Sequence, residues 1–172
     1  ILRPAPVQHD VDEGEDQAQH KNVSAITEPD DSVWRGSQGS TVNGAEEIGW
    51  IDDSAGLARL VAALDGQPRA AIDTEFVREK TYYPQLCLIQ VATERHVACV
   101  DLLAELDLEP LYAQLFRADF TWVLHSARQD LEVVYQRTGR MPPRLIDTQV
   151  AAAFMGYPPQ VGLEGLLERT LG

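Results

Sequence analysis

Asp73 and Glu75 are the residues of this sequence whose spacing points most directly to chemistry. They lie in the segment "AAIDTEF", which is typical of a buried strand with apolar residues before the pair and an aromatic residue after it. Side chains two residues apart on a strand project from one face, with Cα atoms about 6 to 7 Å apart. Carboxylates held this close destabilise a fold unless a cation compensates their charge. Oxygen ligands without His or Cys favour a hard divalent ion, so the pair predicts a Mg²⁺ or Mn²⁺ site.

A third acid, Asp130, is predicted to lie near this pair. In "TWVLHSARQDLEVVYQRTG" a strand ends at His125, and Ser126 and Gln129 fit a capping box that opens a helix. Asp130 then falls in the first turns of that helix, at the carboxyl end of the sheet, where ligand sites of open α/β sheets occur. The alternative is that Asp130 only complements the helix dipole. For Asp73 and Glu75 the alternative is chance, because Asp-x-Glu and similar patterns arise several times in a chain as acidic as this one.

Composition limits the classes of protein to which the chain can belong. Its 172 residues, 44% of them hydrophobic, can bury one core of ordinary domain size. A net charge of -13 argues against a broad basic surface, so any nucleic acid must be held locally. Neither a membrane span nor a signal peptide is evident, which makes the cytoplasm the default location. Cys87 and Cys99 lie in apolar runs and are predicted to be reduced and structural.

The sequence divides into a tail and a domain. Residues 1–46 are rich in Asp, Glu, Gln, Ser and Gly without a sustained period, which predicts a disordered acidic tail. Residues 47–172 are predicted to form the folded domain.

Periodicity and turn residues predict the elements of this domain. After a short strand near Trp50 and a helix, an antiparallel meander is expected, followed by alternating helices and strands. Such an order predicts a mixed sheet with helices on both faces. The expected elements after the first helix are strands over 70–76, 86–92 and 96–100, a helix over 109–116, a strand over 122–125, a helix over 126–137, a strand over 144–146, and two more helices.

Three long blocks of the sequence resemble the ribonuclease D family of the DEDD 3′-5′ exonuclease superfamily. They are "IDTEFVREKTYYPQLCLIQVA", "VLHSARQDLEVVY" and "LIDTQVAAAFMGYP". The resemblance implies an α/β fold of the ribonuclease H-like type. Asp73 and Glu75 match the first motif of the family, and Asp130 matches the second. The third motif, a Tyr followed four residues later by an Asp, is expected beyond Gly172, so a C-terminally incomplete exonuclease domain is expected here.

The resemblance also implies a reaction and a substrate. It implies two-metal hydrolysis of RNA 3′ ends, with tRNA precursors as the expected substrates and Mg²⁺ or Mn²⁺ as the ions. Asp73 would bridge both ions, Glu75 would hold the ion that activates water, and Asp130 would hold the other. Without the third motif, the chain is expected to be poorly active alone. No protein partner is evident. Two alternatives stay open: a non-catalytic nucleic-acid-binding or scaffold module of the same fold, and a DNA-directed DEDD exonuclease.

Four further residues are candidates for substrate contact: Thr74, Phe76, Tyr83 and His125. Phe76 could stack on a base, although strand alternation places it opposite the acids, which favours core packing. Tyr83 lies in a predicted loop that could simply be solvated. His125 could contact phosphate or be a hydrogen-bonded structural histidine. Asp147 follows a strand and precedes a helix, so it is interpreted as an N-cap and not as a metal ligand.

Overall fold

A computed structural model of the chain describes residues 41–42, 45–78 and 82–171. Nearly all of the predicted acidic tail, residues 1–46, lies outside this part of the chain, and its predicted disorder stays a prediction. In the residues that are described, no helix is long and apolar enough to cross a membrane.

The described residues form seven strands and five helices. The strands are β1 (Thr41–Val42), β2 (Ala45–Ile51), β3 (Arg69–Val77), β4 (Gln85–Ala92), β5 (His96–Asp101), β6 (Thr121–Leu124) and β7 (Arg144–Asp147). The helices are α1 (Ser54–Leu64), α2 (Glu109–Leu115), α3 (Arg128–Thr138), α4 (Thr148–Phe154) and α5 (Leu163–Leu171).

The strands form one mixed sheet in the order β1-β2-β5-β4-β3-β6-β7. Strands β3, β4 and β5 are the predicted antiparallel meander, and β6 and β7 continue the sheet in parallel beside β3. The sequence did not indicate where β2 would join the sheet. This strand pairs in parallel with β5, on the other side of the meander. Because β3, β6 and β7 are parallel, their carboxyl ends meet at one edge of the sheet.

Most of the core lies on one face of this sheet. Along β3 the side chains of Ala70, Ile72 and Thr74 are buried and those between them are exposed, as alternation on a strand requires. Helices α1, α2 and α3 contribute buried leucines and valines to the same core. On the other face, Leu163 of α5 lines a cavity together with Ala71 of β3. Helices therefore lie on both faces, as predicted.

The start of α3 differs from the prediction. The helix begins at Arg128, its N-cap is Ala127, and no side chain caps it, so the predicted capping box of Ser126 and Gln129 is wrong. Ser126 instead has a φ of 61°, in the left-handed region. The physical reason is that the side chain of Asp147, at the end of β7, accepts hydrogen bonds from the backbone N–H groups of this turn, so Ser126 has no capping role.

Candidate active site

Asp73 and Glu75 project from the same exposed face of β3. In the ladder with β4, Asp73 lies opposite Gln90 and Glu75 opposite Leu88, and both acids are exposed. The register with β4 shifts between Glu75 and Phe76. Asp73 and Glu75 thus share one face of their strand, as predicted.

Asp130 reaches β3 from the beginning of α3. Strand β6 pairs with β3 only as far as Ala71 opposite Val123, so β3 continues beyond the end of its neighbour. Helix α3 starts just after β6 and contacts β3 and β4. The Thr74 hydroxyl donates a hydrogen bond of 2.6 Å to Oδ1 of Asp130, 56 residues later in the sequence. The structure thus brings the third predicted acid to the strand that carries the first two.

The electrostatics of Asp130 connect it to Asp73. Burial raises the pKa of the Asp130 carboxyl, the Thr74 hydrogen bond lowers it, and the negative charge of Asp73 raises it further, so the net shift is upward. A half-buried carboxylate that is repelled by a neighbouring carboxylate gains from a cation placed between them. The charge environment of Asp130 therefore favours a nearby cation.

The oxygen donors of this site suit a hard divalent ion. In the parts of the chain that the structure describes, no three or more His, Cys, Asp or Glu side chains are grouped closely enough to hold a metal ion. Oδ1 of Asp130 accepts the hydrogen bond from the Thr74 hydroxyl. The donor set itself contains only carboxylates, as Mg²⁺ and Mn²⁺ prefer. By donor chemistry, the residues therefore fit such an ion.

A cavity of about 450 Å³ borders the acidic pair, and His125 lies in its wall. Its lining includes Asp73, His125 and Thr148. The His125 ring bonds to Thr148 Oγ1 through Nδ1 and to the Val161 carbonyl through Nε2, each at 2.9 Å. Because a carbonyl only accepts, Nε2 carries a proton and donates to Val161. Both ring nitrogens have protein partners, and a substrate contact by His125 stays a prediction.

The other candidates for substrate contact differ in exposure. Thr74 is only 6% exposed, and its hydroxyl bonds to Asp130. Phe76 is half-buried and packs against the core. Tyr83 is 62% exposed and meets the 88% exposed Tyr82 edge to face, with ring centroids 4.9 Å apart. Contacts of Thr74, Phe76 and Tyr83 with substrate stay predictions, and the tyrosines are the most accessible of these side chains.

Asp147 has a larger role than its predicted one. It is the N-cap of α4, as predicted. Its carboxylate also accepts hydrogen bonds from the backbone N–H groups of Ser126 and Ala127, in the turn that leads into α3. The sequence analysis did not predict these two hydrogen bonds. The available signal was that Asp147 ends the strand beside β6, whose carboxyl end leads into the same turn.

Several known proteins are similar to this chain. Ribonuclease D of Zymomonas mobilis is 47% identical over 123 residues, which cover 70% of this chain and 32% of that protein. Ribonuclease D of Escherichia coli is 45% identical over 116 residues, which cover 67% of this chain and 31% of that protein. This chain therefore spans about a third of the length of these relatives.

The fold is similar to that of solved exonucleases. The crystal structure of Escherichia coli RNase D matches with a TM-score of 0.65 and 43% identity, over 70% of this chain and 32% of that one. This match confirms the ribonuclease H-like fold with a mixed sheet. The family described as 3′-5′ exonuclease matches residues 48–172, which is well over half of the chain. The chain belongs to this 3′-5′ exonuclease family, and it resembles the ribonucleases D.

Proposed function

We propose that this chain is the nuclease core of a 3′-5′ exoribonuclease that uses two Mg²⁺ or Mn²⁺ ions. The observation that carries the proposal is the meeting of Asp130 with the Asp73 strand through Thr74, together with the repulsion between Asp73 and Asp130. The crystal structure of the similar Escherichia coli enzyme is described as that of an exoribonuclease involved in structured RNA processing.

Asp73, Glu75 and Asp130 would hold the ions. When bound, such ions polarise a phosphate and lower the pKa of a coordinated water, which are the two demands of phosphodiester hydrolysis. Asp73 shares a strand face with Glu75, and its negative charge acts on Asp130. It is therefore the residue best placed to serve both ions.

The substrate proposed is the 3′ end of an RNA, with tRNA precursors as the natural class. The exposed Tyr82–Tyr83 pair offers ring faces on which unpaired bases can stack, and such stacking is sequence-tolerant. A net charge of -13 leaves little non-specific attraction for phosphate, so recognition must be local to this site. In the part of the chain that the structure describes, Cys87 and Cys99 are not joined in a disulfide, which agrees with the proposed cytoplasmic location.

The test is 3′-end degradation of a single-stranded RNA labelled at its 5′ end. It is run with this chain and with the longest natural protein that contains it, in Mg²⁺ and in Mn²⁺. Asp73→Ala should lower the rate by far more than tenfold, because one decade corresponds to only about 1.4 kcal/mol of barrier. Glu132→Gln is the matched control, since Glu132 lies on the same helix as Asp130 but is exposed and pairs with Arg128. Retention of a tenth of the rate in Asp73→Ala would contradict the assignment.

The same assay separates the alternatives. A matched single-stranded DNA tests for a DNA-directed exonuclease, because contacts to the 2′-hydroxyl distinguish the two nucleic acids. A precursor tRNA with a 3′ extension tests the proposed natural class. RNA binding without cleavage by every form of the protein would favour the non-catalytic module.

A further inference from the structure

One carboxylate joins the beginnings of two helices beside the candidate site. Oδ1 of Asp147 accepts hydrogen bonds from the N–H groups of Gln149 at 2.9 Å and Val150 at 3.3 Å, which begin α4. The same oxygen accepts from the Ser126 N–H at 3.1 Å, and Oδ2 accepts from the Ala127 N–H at 2.9 Å. Asp147 therefore ties the end of β7 to the turn between β6 and α3.

The turn before α3 depends on this outside acceptor. The N-cap position is Ala127, which has no side-chain oxygen, so the helix cannot cap itself. Ala127 is 2% exposed, and an N–H buried there needs a protein acceptor. Ser126 holds a left-handed φ of 61°, which costs an L-residue energy and persists only where neighbours enforce it.

The titration of Asp147 agrees with this role. Partial burial acts to raise the pKa of its carboxyl. Hydrogen bonds from the four backbone N–H groups outweigh burial, and the net shift is downward. The carboxylate is thus held in its charged form, which is the form that accepts all four bonds.

We propose that Asp147 is a positioning residue that fixes Asp130 for ion binding through the turn before α3. Asp130 lies three residues after Ala127, in the first turn of α3, so the geometry of the helix start determines where its carboxylate lies. Asp147 itself does not touch the ions. The inference rests on the proposed function, because Asp130 has a position to keep only if it binds an ion.

The test separates the two tasks of Asp147 by substitution. In Asp147→Ser the short hydroxyl still caps α4, because serine is a good N-cap, but it cannot span to Ser126 and Ala127. In Asp147→Asn an amide oxygen in place of Oδ1 keeps the cap, while the amide nitrogen faces the Ala127 N–H as a second donor. Asp147→Ser therefore breaks both bonds of the link to α3, Asp147→Asn breaks only the one to Ala127, and both variants leave α4 capped.

Asp53→Ala is the matched control. Asp53 is the N-cap of α1 and accepts a hydrogen bond of 2.6 Å from the Gly56 N–H. Helix α1 packs chiefly against β2 and α2, whereas α3, which carries Asp130, packs against β3 and β4. The control removes a cap of the same kind and should lower the melting temperature without a change in ion affinity.

Mn²⁺ binding to the chain is measured by the loss of the free-ion EPR signal, and melting temperature is measured on the same samples. We expect Asp147→Ser and Asp147→Asn to weaken Mn²⁺ about tenfold, as loss of a support to a metal ligand does. Affinity in both variants equal to that of the unaltered chain, with loss of binding in Asp130→Ala, would overturn this inference and leave the proposed function standing. No effect of Asp73→Ala and Asp130→Ala, or no Mn²⁺ binding by the unaltered chain, would overturn the proposed function and this inference with it.

Discussion

The hydroxyl of Thr74 on β3 and the carboxylate of Asp130 on α3 form a 2.6 Å hydrogen bond. Thr74 belongs to the buried side of β3, whereas the acids on either side of it in sequence are exposed. The bond therefore ties a metal-ligand candidate to a buried side chain of β3. One oxygen of Asp130 is occupied by Thr74, and we expect the other to face the ion.

Thr74→Val should weaken Mn²⁺ binding about tenfold, because it removes the donor that orients Asp130 and keeps the shape of the side chain. It should also cost about 1 to 3 kcal/mol of unfolding free energy, because a half-buried carboxylate loses its partner. Thr74→Ser keeps the hydroxyl and is the control. Equal Mn²⁺ affinity in the valine and serine variants would show that the bond does not orient the ligand.

Asp130→Asn should stabilise the chain in EDTA while it abolishes ion binding. The folded-state pKa of Asp130 is raised, chiefly by burial, so its ionisation disfavours the fold. The neutral Asp130 carboxyl favours the folded state. This contribution to stability is fully present below the unfolded-state pKa of about 3.9 and is lost as the pH rises through the folded-state pKa. The variant should therefore gain roughly 1 kcal/mol over the unaltered chain at pH 7, and less at pH 3.

Thermal unfolding of both proteins between pH 3 and pH 7 measures this gain. Mg²⁺ should raise the melting temperature of the unaltered chain and leave that of Asp130→Asn unchanged. A variant less stable than the unaltered chain at pH 7 would mean that the Asp130 charge is already compensated inside the protein.

The sequence predicted those features that depend on local periodicity. Asp73 and Glu75 share a face because side chains alternate along a strand, and this rule holds whatever surrounds β3. The approach of Asp130 followed from the shared edge at which parallel strands end. Local rules could not predict the start of α3. The turn before this helix is held by Asp147, which ends a strand about twenty residues later in the chain. A bond between distant segments overrode the local capping preference of Ser126.

Asp147→Ala should show the opposite pH dependence to the Asp130 variant. Backbone N–H groups hold the pKa of Asp147 below its usual value, so its contribution is present above the unfolded pKa and lost as the pH falls through the folded value. At pH 7 the substitution should cost up to about 2 kcal/mol, the upper range for an N-cap. Denaturant unfolding at a series of pH values should show this cost shrinking below about pH 4. A cost that stays constant to pH 2 would contradict a role for the charge.

His125→Ala separates a structural histidine from a substrate contact. The ring donates from Nε2 to the Val161 carbonyl, which also accepts a 3.1 Å bond from the Gln149 side chain. Val161 is buried, and its own N–H is bonded to the Pro158 carbonyl. Loss of the ring removes one of the two side-chain donors to the Val161 carbonyl, so the segment before α5 should be held less firmly. We expect faster amide exchange at Val161 and a loss of about 1 kcal/mol in unfolding free energy.

Gln149→Ala is the control for His125, since it removes the other side-chain donor to Val161 and leaves the ring in the cavity wall beside Asp73. If His125 acts only through Val161, both variants should speed exchange there and change the RNA KM by similar small factors. If His125 binds the substrate, its loss should raise the KM several-fold beyond that of Gln149→Ala. Unchanged exchange at Val161 in His125→Ala, together with a raised KM, would contradict the structural role. The hydrogen bonds of both ring nitrogens lead us to expect the structural outcome.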